Sequence, residues 1–340
     1  MHNQADEGRI SVSFAGLMDL AAEAVGGRVL WANDEFFAEK ENLLKPGRGV
    51  FIAGKFTERG KWMDGWETRR KRVPGYDSAV LKLGLPGVIR GVNVDTNHFL
   101  GNFPEYCSVD ACELEGDAQP SFDQLPGSWT EIVPRTKLQG GTQNFIAVSS
   151  DRRWTHLRLN IFPDGGVARF RVHGEVRPDL QRMRAEGLVD LASAVNGGTV
   201  VQANDSFFST KDNLILPHRA ANMGEGWETR RKRVPGFDWI VVKLAAPGTI
   251  EKVEVDTAHF KGNFPDTCSL EGVALDVPLL DFANAQSLPW KELLPRTKLQ
   301  AHHQHFYEAE LREKGPFTHV RLNIFPDGGV SRLRLWGRPL

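Results

Sequence analysis

Short runs in which apolar and polar residues alternate recur along the chain. Their period of two is that of a β-strand with one face buried. Leu157, Leu159 and Ile161 fall on one side of such a run, and His156, Arg158 and Asn160 on the other. In the next run Phe170 and Val172 stand opposite Arg169 and Arg171. Residues 88–94 alternate too, and residues 79–83 form a short β-rich run. Pro163-Asp164-Gly165-Gly166 separates the 157–161 and 168–172 runs. Proline presets a turn and glycine supplies a positive φ, so a hairpin is expected there. Short strands punctuated by Gly and Pro, with no long helical period, predict an all-β sandwich. Residues 17–25 and 188–195 read as short helices or irregular lead-ins.

The pattern occurs twice. Gly65 to Gly75 returns without a change as Gly226 to Gly236, and Arg158 to Val167 returns as Arg321 to Val330. Val94-Asp95-Thr96 and His98-Phe99 return as Val255-Asp256-Thr257 and His259-Phe260. Pro134 to Gln139 returns as Pro295 to Gln300. Asp95 and Asp256 are 256 − 95 = 161 positions apart, whereas Asn33 and Asn204 are 204 − 33 = 171 apart. The first copy therefore carries extra residues between these points. A period this long predicts two tandem homologous domains, 10–175 and 186–340, rather than a solenoid. The polar segment between them suggests a short helix over 179–184.

Composition narrows the class. The chain has 340 residues and a formal net charge of -1, so no global field draws it to nucleic acid or an anionic membrane. No stretch approaches the ~18 apolar residues of a membrane span. Three cysteines without a CxxC pair argue against a disulfide framework and read as buried thiols. The polar N-terminus has no signal-peptide pattern, and the expectation is a cytoplasmic protein. No nucleophile elbow, Walker loop or Rossmann fingerprint is present, which removes the serine-hydrolase, kinase and dehydrogenase readings.

Four polar constellations remain. The duplicated Trp-Glu-Thr-Arg-Arg-Lys-Arg stretch is either a solvated basic patch or a loop that holds an anion, since guanidinium forks match carboxylates. Asp95 to Pro104 is either a corner held by Asx turns or a site in which Asp95 orients His98 for proton transfer. Arg135 and Arg296, after strand-like residues, either aim at the same pocket or lie on the surface. The copies then diverge: Gly141-Thr142-Gln143-Asn144 in the first faces His302-His303-Gln304-His305 in the second. On a strand His303 and His305 share a face, the one candidate site for a divalent metal, although two ligands are too few to specify zinc.

The doubled Gly-Trp-Glu-Thr-Arg-Arg-Lys-Arg, the Asp-Thr-x-His-Phe-x-Gly-Asn-Phe-Pro segment and the Leu-Asn-Ile-Phe-Pro-Asp-Gly-Gly-Val hairpin resemble the allantoicase family, over residues 14–337. The resemblance implies two jelly-roll β-sandwiches similar to galactose-binding domains. It implies hydrolysis of allantoate to ureidoglycolate and urea, in allantoin breakdown, by a homo-oligomer; hexamers occur in the family. Allantoate carries one carboxylate and two ureido arms, and urea leaves readily only when protonated. On that resemblance Glu67, His98, Glu228 and His259 are the catalytic candidates. Trp66, Arg69, Asp95 and Arg135, with Trp227, Arg230, Asp256 and Arg296, are the substrate-binding candidates. The implied mechanism is acid-assisted loss of one urea followed by addition of water. Two rival readings are a non-catalytic small-anion or sugar-binding double sandwich and a ureidoglycolate urea-lyase.

Overall fold

The runs at 79–83 and 88–94 belong to one long bent strand, and the architecture of each repeat follows from it. The computed structural model describes residues 14–114, 129–177, 179–276 and 287–340. Two units meet between Glu175 and Val176. The first contains β1 (Met18–Asp19), β2 (Arg28–Ala32), β3 (Asp77–Asp95), β4 (Tyr106–Cys112), β5 (Thr130–Lys137), β6 (Gln143–Ala147), β7 (Arg153–Phe162) and β8 (Arg169–Val176). The second repeats this set as β9 (Val189–Asp190), β10 (Thr199–Ala203), β11 (Asp238–Asp256), β12 (Thr267–Val273), β13 (Lys291–Lys298), β14 (Gln304–Tyr307), β15 (Phe317–Phe325) and β16 (Arg332–Pro339).

The N-terminal half of β3, residues 77–82, pairs with β2 and β7. Its C-terminal half pairs with β6, and β8 also lies beside β3. The strand thus leaves one layer, turns near Pro86-Gly87 and enters the other. In β11 the ladder to β15 breaks between Lys243 and Gly248, around Pro247. Proline has no N–H to donate, so it fits where a ladder is interrupted. Two layers joined by such a strand make the jelly-roll sandwich of each repeat, and the all-β expectation holds.

Core residues come from the inner faces. Leu81, Val92, Leu157, Leu159, Ile161, Phe170 and Val172 are fully enclosed, as the alternation requires. Each contributes roughly 1.5–3 kcal/mol on burial. Because β3 folds back on itself, both its ends reach one end of the sandwich. Asp77 pairs with Ile161, and the Asp95 carbonyl accepts from the amide of Ala168, just past the expected hairpin. The lead-ins are short strands followed by 3-10 turns at Glu23–Val25 and Ala194–Asn196. The inter-repeat segment forms α1 (Leu180–Glu186), where the Asp179 side chain accepts from the Arg182 amide as an N-cap. The three cysteines are buried thiols, and burial pushes Cys107 and Cys268 up to about 12. Among the described residues no helix is long and apolar enough to cross a membrane.

Candidate active site

The duplicated stretch anchors the loop end of each sandwich. Trp66 and Trp227 are fully buried, and their indole N–H groups donate to the carbonyls of Asp34 and Asp205, both at 2.8 Å. They are core residues of the loop, and neither lines the cavity described below. The backbone amides of Lys71 and Lys232 donate to Asp164 (2.7 Å) and Asp327 (2.8 Å), which ties the stretch to the hairpin of its own repeat. Glu67 is buried and accepts from the Asn102 side chain at 2.7 Å; burial pushes its carboxyl up, against that bond. Glu228 is half-buried and accepts from Asn263 at 2.6 Å.

The expected cations are held locally instead of converging. Arg69 and Arg230 reach back to Asp34 and Asp205 through Nε, at 2.8 and 2.9 Å, and lie over Phe36 and Phe207. Arg135 lies 4.8 Å from the Tyr106 ring and 4.6 Å from Phe162, and Arg296 lies 4.0 Å from Phe325. Such cation–π seats are formed on the surface of the fold.

A different set of polar residues converges, on the outer face of the second layer. Alternation sends Asp256, Glu254, Gln304, Arg332 and Arg334 away from the core. Cross-strand register then places them in rows, Gln304–Asp256–Arg332 and Glu254–Arg334. Residues 216–219 fold over this face. The carbonyls of Leu216 and His218 accept from Arg334 Nη2 at 2.7 and 3.0 Å. Arg219 forks onto Asp256, Nε to Oδ2 at 2.8 Å and Nη2 to Oδ1 at 3.3 Å. The result is an open cavity of about 460 Å³, lined among others by these residues and by Asp190 and His218. Its size suits a small polar ligand.

Its electrostatics are amphoteric. Arg332 is buried and has no carboxylate among its hydrogen-bond partners: it donates to the carbonyls of His218, Glu225 and Ser331. Burial, then the adjacent Arg334 charge, pushes its pKa down to about 10, against the raising charges of Glu225 and Asp256. Glu254 accepts from Gln304 at 2.9 Å. Guanidinium and carboxylate groups thus share one concavity.

Of the sequence candidates only Asp256 lines this cavity, and its carboxylate is spent on Arg219 and on the Ala258 amide. In the first repeat Asp95 is held in the same way by Arg48, at 2.8 and 2.9 Å, and by the Asn97 amide. His98 and His259 both adopt left-handed backbone, φ 68° and 70°. His98 is exposed, with its ring 5.8 Å from Phe51. His259 Nε2 bonds the Ala220 carbonyl at 2.9 Å and so braces the segment that bears Arg219.

The histidine run is not arranged for a metal. The Gln300 amide donates to His305 Nε2 at 2.8 Å, which leaves Nδ1 to donate to the Val255 carbonyl at 2.9 Å. Neither nitrogen offers a lone pair, and among the described residues no group of three or more His, Cys, Asp or Glu could hold a metal ion. Sequence reading missed Arg219, Arg332, Arg334, Glu254 and His218. The signal for the two strand arginines was their period-two alternation; His218 shows when Pro217-His218-Arg219 is set against Pro46-Gly47-Arg48.

Comparison with known proteins matches the family model "Allantoicase repeat" twice, at residues 18–177 and 189–340. A probable allantoicase of Ralstonia nicotianae is 51% identical over 94% of both chains. One of Pseudomonas paraeruginosa is 48% identical over 96% of this chain and 97% of its own. The crystal structure of allantoicase from Saccharomyces cerevisiae superposes with a TM-score of 0.81 at 35% identity, covering 96% of this chain and 94% of that one.

Proposed function

This chain belongs to the allantoicase family, and we propose that its hydrolysis of allantoate to ureidoglycolate and urea takes place in the Arg219–Asp256 cavity. The observation that carries the placement is the amphoteric lining. Allantoate presents a carboxylate and ureido N–H and C=O groups on a single carbon, and this cavity offers complements to each. Arg332 and Arg219 take the carboxylate. Asp256 keeps the Arg219 guanidinium in place through the Nε/Nη2 edge, and the remaining Nη protons serve the ligand. Glu254 accepts from a ureido N–H, and the Gln304 amide, with one donor bonded to Glu254, reaches a ureido carbonyl. Glu228 and His259 hold the loop around this site through Asn263 and Ala220. On the same reading the enzyme is a cytoplasmic homo-oligomer; light scattering of the purified chain measures its subunit number.

Urea release from allantoate by the purified chain tests the reaction. Arg219→Gln removes one charge-assisted contact, worth about 1.5–3 kcal/mol. The expected result is a fall in kcat/KM of roughly 10–100-fold. An unchanged kcat/KM would remove the cavity from the mechanism while leaving the activity itself in place. Turnover of ureidoglycolate faster than of allantoate would instead favour a lyase.

A further inference from the structure

We propose that each chain holds one reaction centre, in the second repeat, and that His218 is its proton carrier. The inference rests on the allantoicase reading above and is carried by differences between the two copies at matching backbone positions. Position 47 in the first repeat is glycine, with φ 68°. Its counterpart is His218, with φ 60°. Left-handed backbone is disfavoured for any residue with a Cβ, and a residue held there at a cleft is a pointer to function. The first copy shows what the turn asks of the fold, which is glycine. The second copy accepts the less favourable residue at the rim of the cavity.

The setting of His218 suits proton transfer. Its carbonyl is fixed from below by Arg332 Nε at 2.8 Å and Arg334 Nη2 at 3.0 Å, so the residue is tied to the cavity floor. It is exposed, and among the described residues its ring nitrogens have no hydrogen-bond partner. By contrast, His259 Nε2 is bonded to a carbonyl, and both nitrogens of His305 are engaged.

Two further differences confine the site. Arg169, the counterpart of Arg332, is neutralised by Asp64: Nη2 donates to Oδ2 at 2.7 Å. The second-repeat counterpart of Asp64 is Glu225, whose carboxylate turns instead to the Ala221 amide and the Asn222 side chain. The guanidinium of Arg332 is therefore open to a substrate carboxylate, and that of Arg169 is not. Glu254 also replaces Asn93, which adds a carboxylate to the second-repeat floor.

The chemistry balances without a further reactant. The bond from the central carbon to one ureido nitrogen breaks as that nitrogen takes the proton of the His218 imidazolium, and urea leaves. The lone pair of the remaining ureido nitrogen forms C=N, and the Glu254 carboxylate stabilises the resulting cation. Water adds to the carbon, its proton returns to His218, and ureidoglycolate results.

His218→Gly is the decisive variant, because glycine is native at the matching turn and relieves the backbone. The expected result is a kcat lower by roughly 100–1000-fold, KM within about threefold, and partial recovery with added imidazole. A kcat within threefold of wild type, or a loss that imidazole does not touch, would overturn the role. Arg48→Gln, the matched change in the first repeat, should leave kcat/KM unaltered where Arg219→Gln lowers it. Equal losses from the two would overturn the single centre. Wild-type turnover of allantoate reports separately on the underlying reading.

Discussion

The Asp64–Arg169 pair offers a sharp test of how differently the two repeats treat the same arginine. Its side chains are 11% and 4% exposed, and Asp64 also accepts from the Val50 amide at 2.9 Å. Breaking a buried pair from one side costs about 3–5 kcal/mol, because it strands the other charge. Asp64→Asn keeps one acceptor oxygen, so the lower end, about 3 kcal/mol, is expected. For a unit of this size that lowers the first-repeat transition by roughly 6–12 °C. Glu225→Gln in the second repeat removes no ion pair, and an amide oxygen can still accept from Ala221, so its effect stays within about 0.5 kcal/mol. The pH dependence follows from the direction of the shift. Burial works to raise the Asp64 pKa, but the Arg169 and Val50 bonds and the charges of Arg169 and Lys45 outweigh it and hold it low. A carboxylate with a lowered folded pKa stabilises above its unfolded value, and the contribution is lost as pH falls through the folded one. Asp64→Asn should thus be costly at pH 7 and nearly silent in strong acid. Calorimetry or urea melts at the two pH values, with both transitions followed because two units need not unfold together, provide the measurement. Equal losses from Asp64→Asn and Glu225→Gln, or an Asp64→Asn cost that persists in acid, would refute the contrast. At temperatures where the fold persists, Asp64→Asn should retain urea release.

Two more outcomes follow from contacts. Trp66→Phe and Trp227→Phe each remove an indole donor from a backbone carbonyl and should destabilise by about 1–2 kcal/mol; thermal melts show the loss, and an unchanged KM separates this from a substrate-binding role. His319 is buried beside Lys243, and burial first, then that charge, pulls its pKa down to about 4. Its neutral form is the folded one, so stability should fall as pH drops from about 6.5 towards 4. His319→Gln should flatten that limb of a stability–pH profile.

Much of the fold was legible because burial enforces a period of two. Phe170 and Val172 point inward and Arg169 and Arg171 outward, as alternation requires. Alternation does not say what lies over the outward face. Arg169 is only 3% exposed because Asp64 folds onto it, while the carbonyls of Leu44 and Gly47 cover Arg171, long-range events with no local mark. The same blindness explains the cations. Charge type leaves pocket and surface both open for Arg69 and Arg135, whereas Asp34 and the rings of Tyr106 and Phe162 claim them locally. Asp256 was visible in a repeated motif. Its partner Arg219 lies where the spacing between copies changes, so no repeated motif marked it.

Identity between the copies proves a weaker guide to chemistry than difference. The repeated Gly65–Gly75 stretch makes the same bonds twice: Thr68 and Thr229 to the carbonyls of Gly165 and Gly328, Lys71 and Lys232 to Asp77 and Asp238. These hold a loop to a hairpin, and a fold requirement alone accounts for them. The Arg–Asp fork is also kept in both, and burying a polar strand face requires it whether or not a ligand binds. What differs is the cover. Between the fork arginine and the repeated stretch the first copy is longer by 171 − 161 = 10 residues. Part of that length forms the Phe56–Thr57/Gly60–Lys61 hairpin, and Phe51 lies against His98. The second copy has only the 3-10 turn Met223–Glu225 there, with His218 and Arg219 at the mouth of a cavity. A duplicated fold under equal structural demand diverges freely only where the demand is not structural; on the proposed reading that is at His218 and Glu254, beside an arginine, Arg332, whose first-repeat counterpart Arg169 is paired with Asp64.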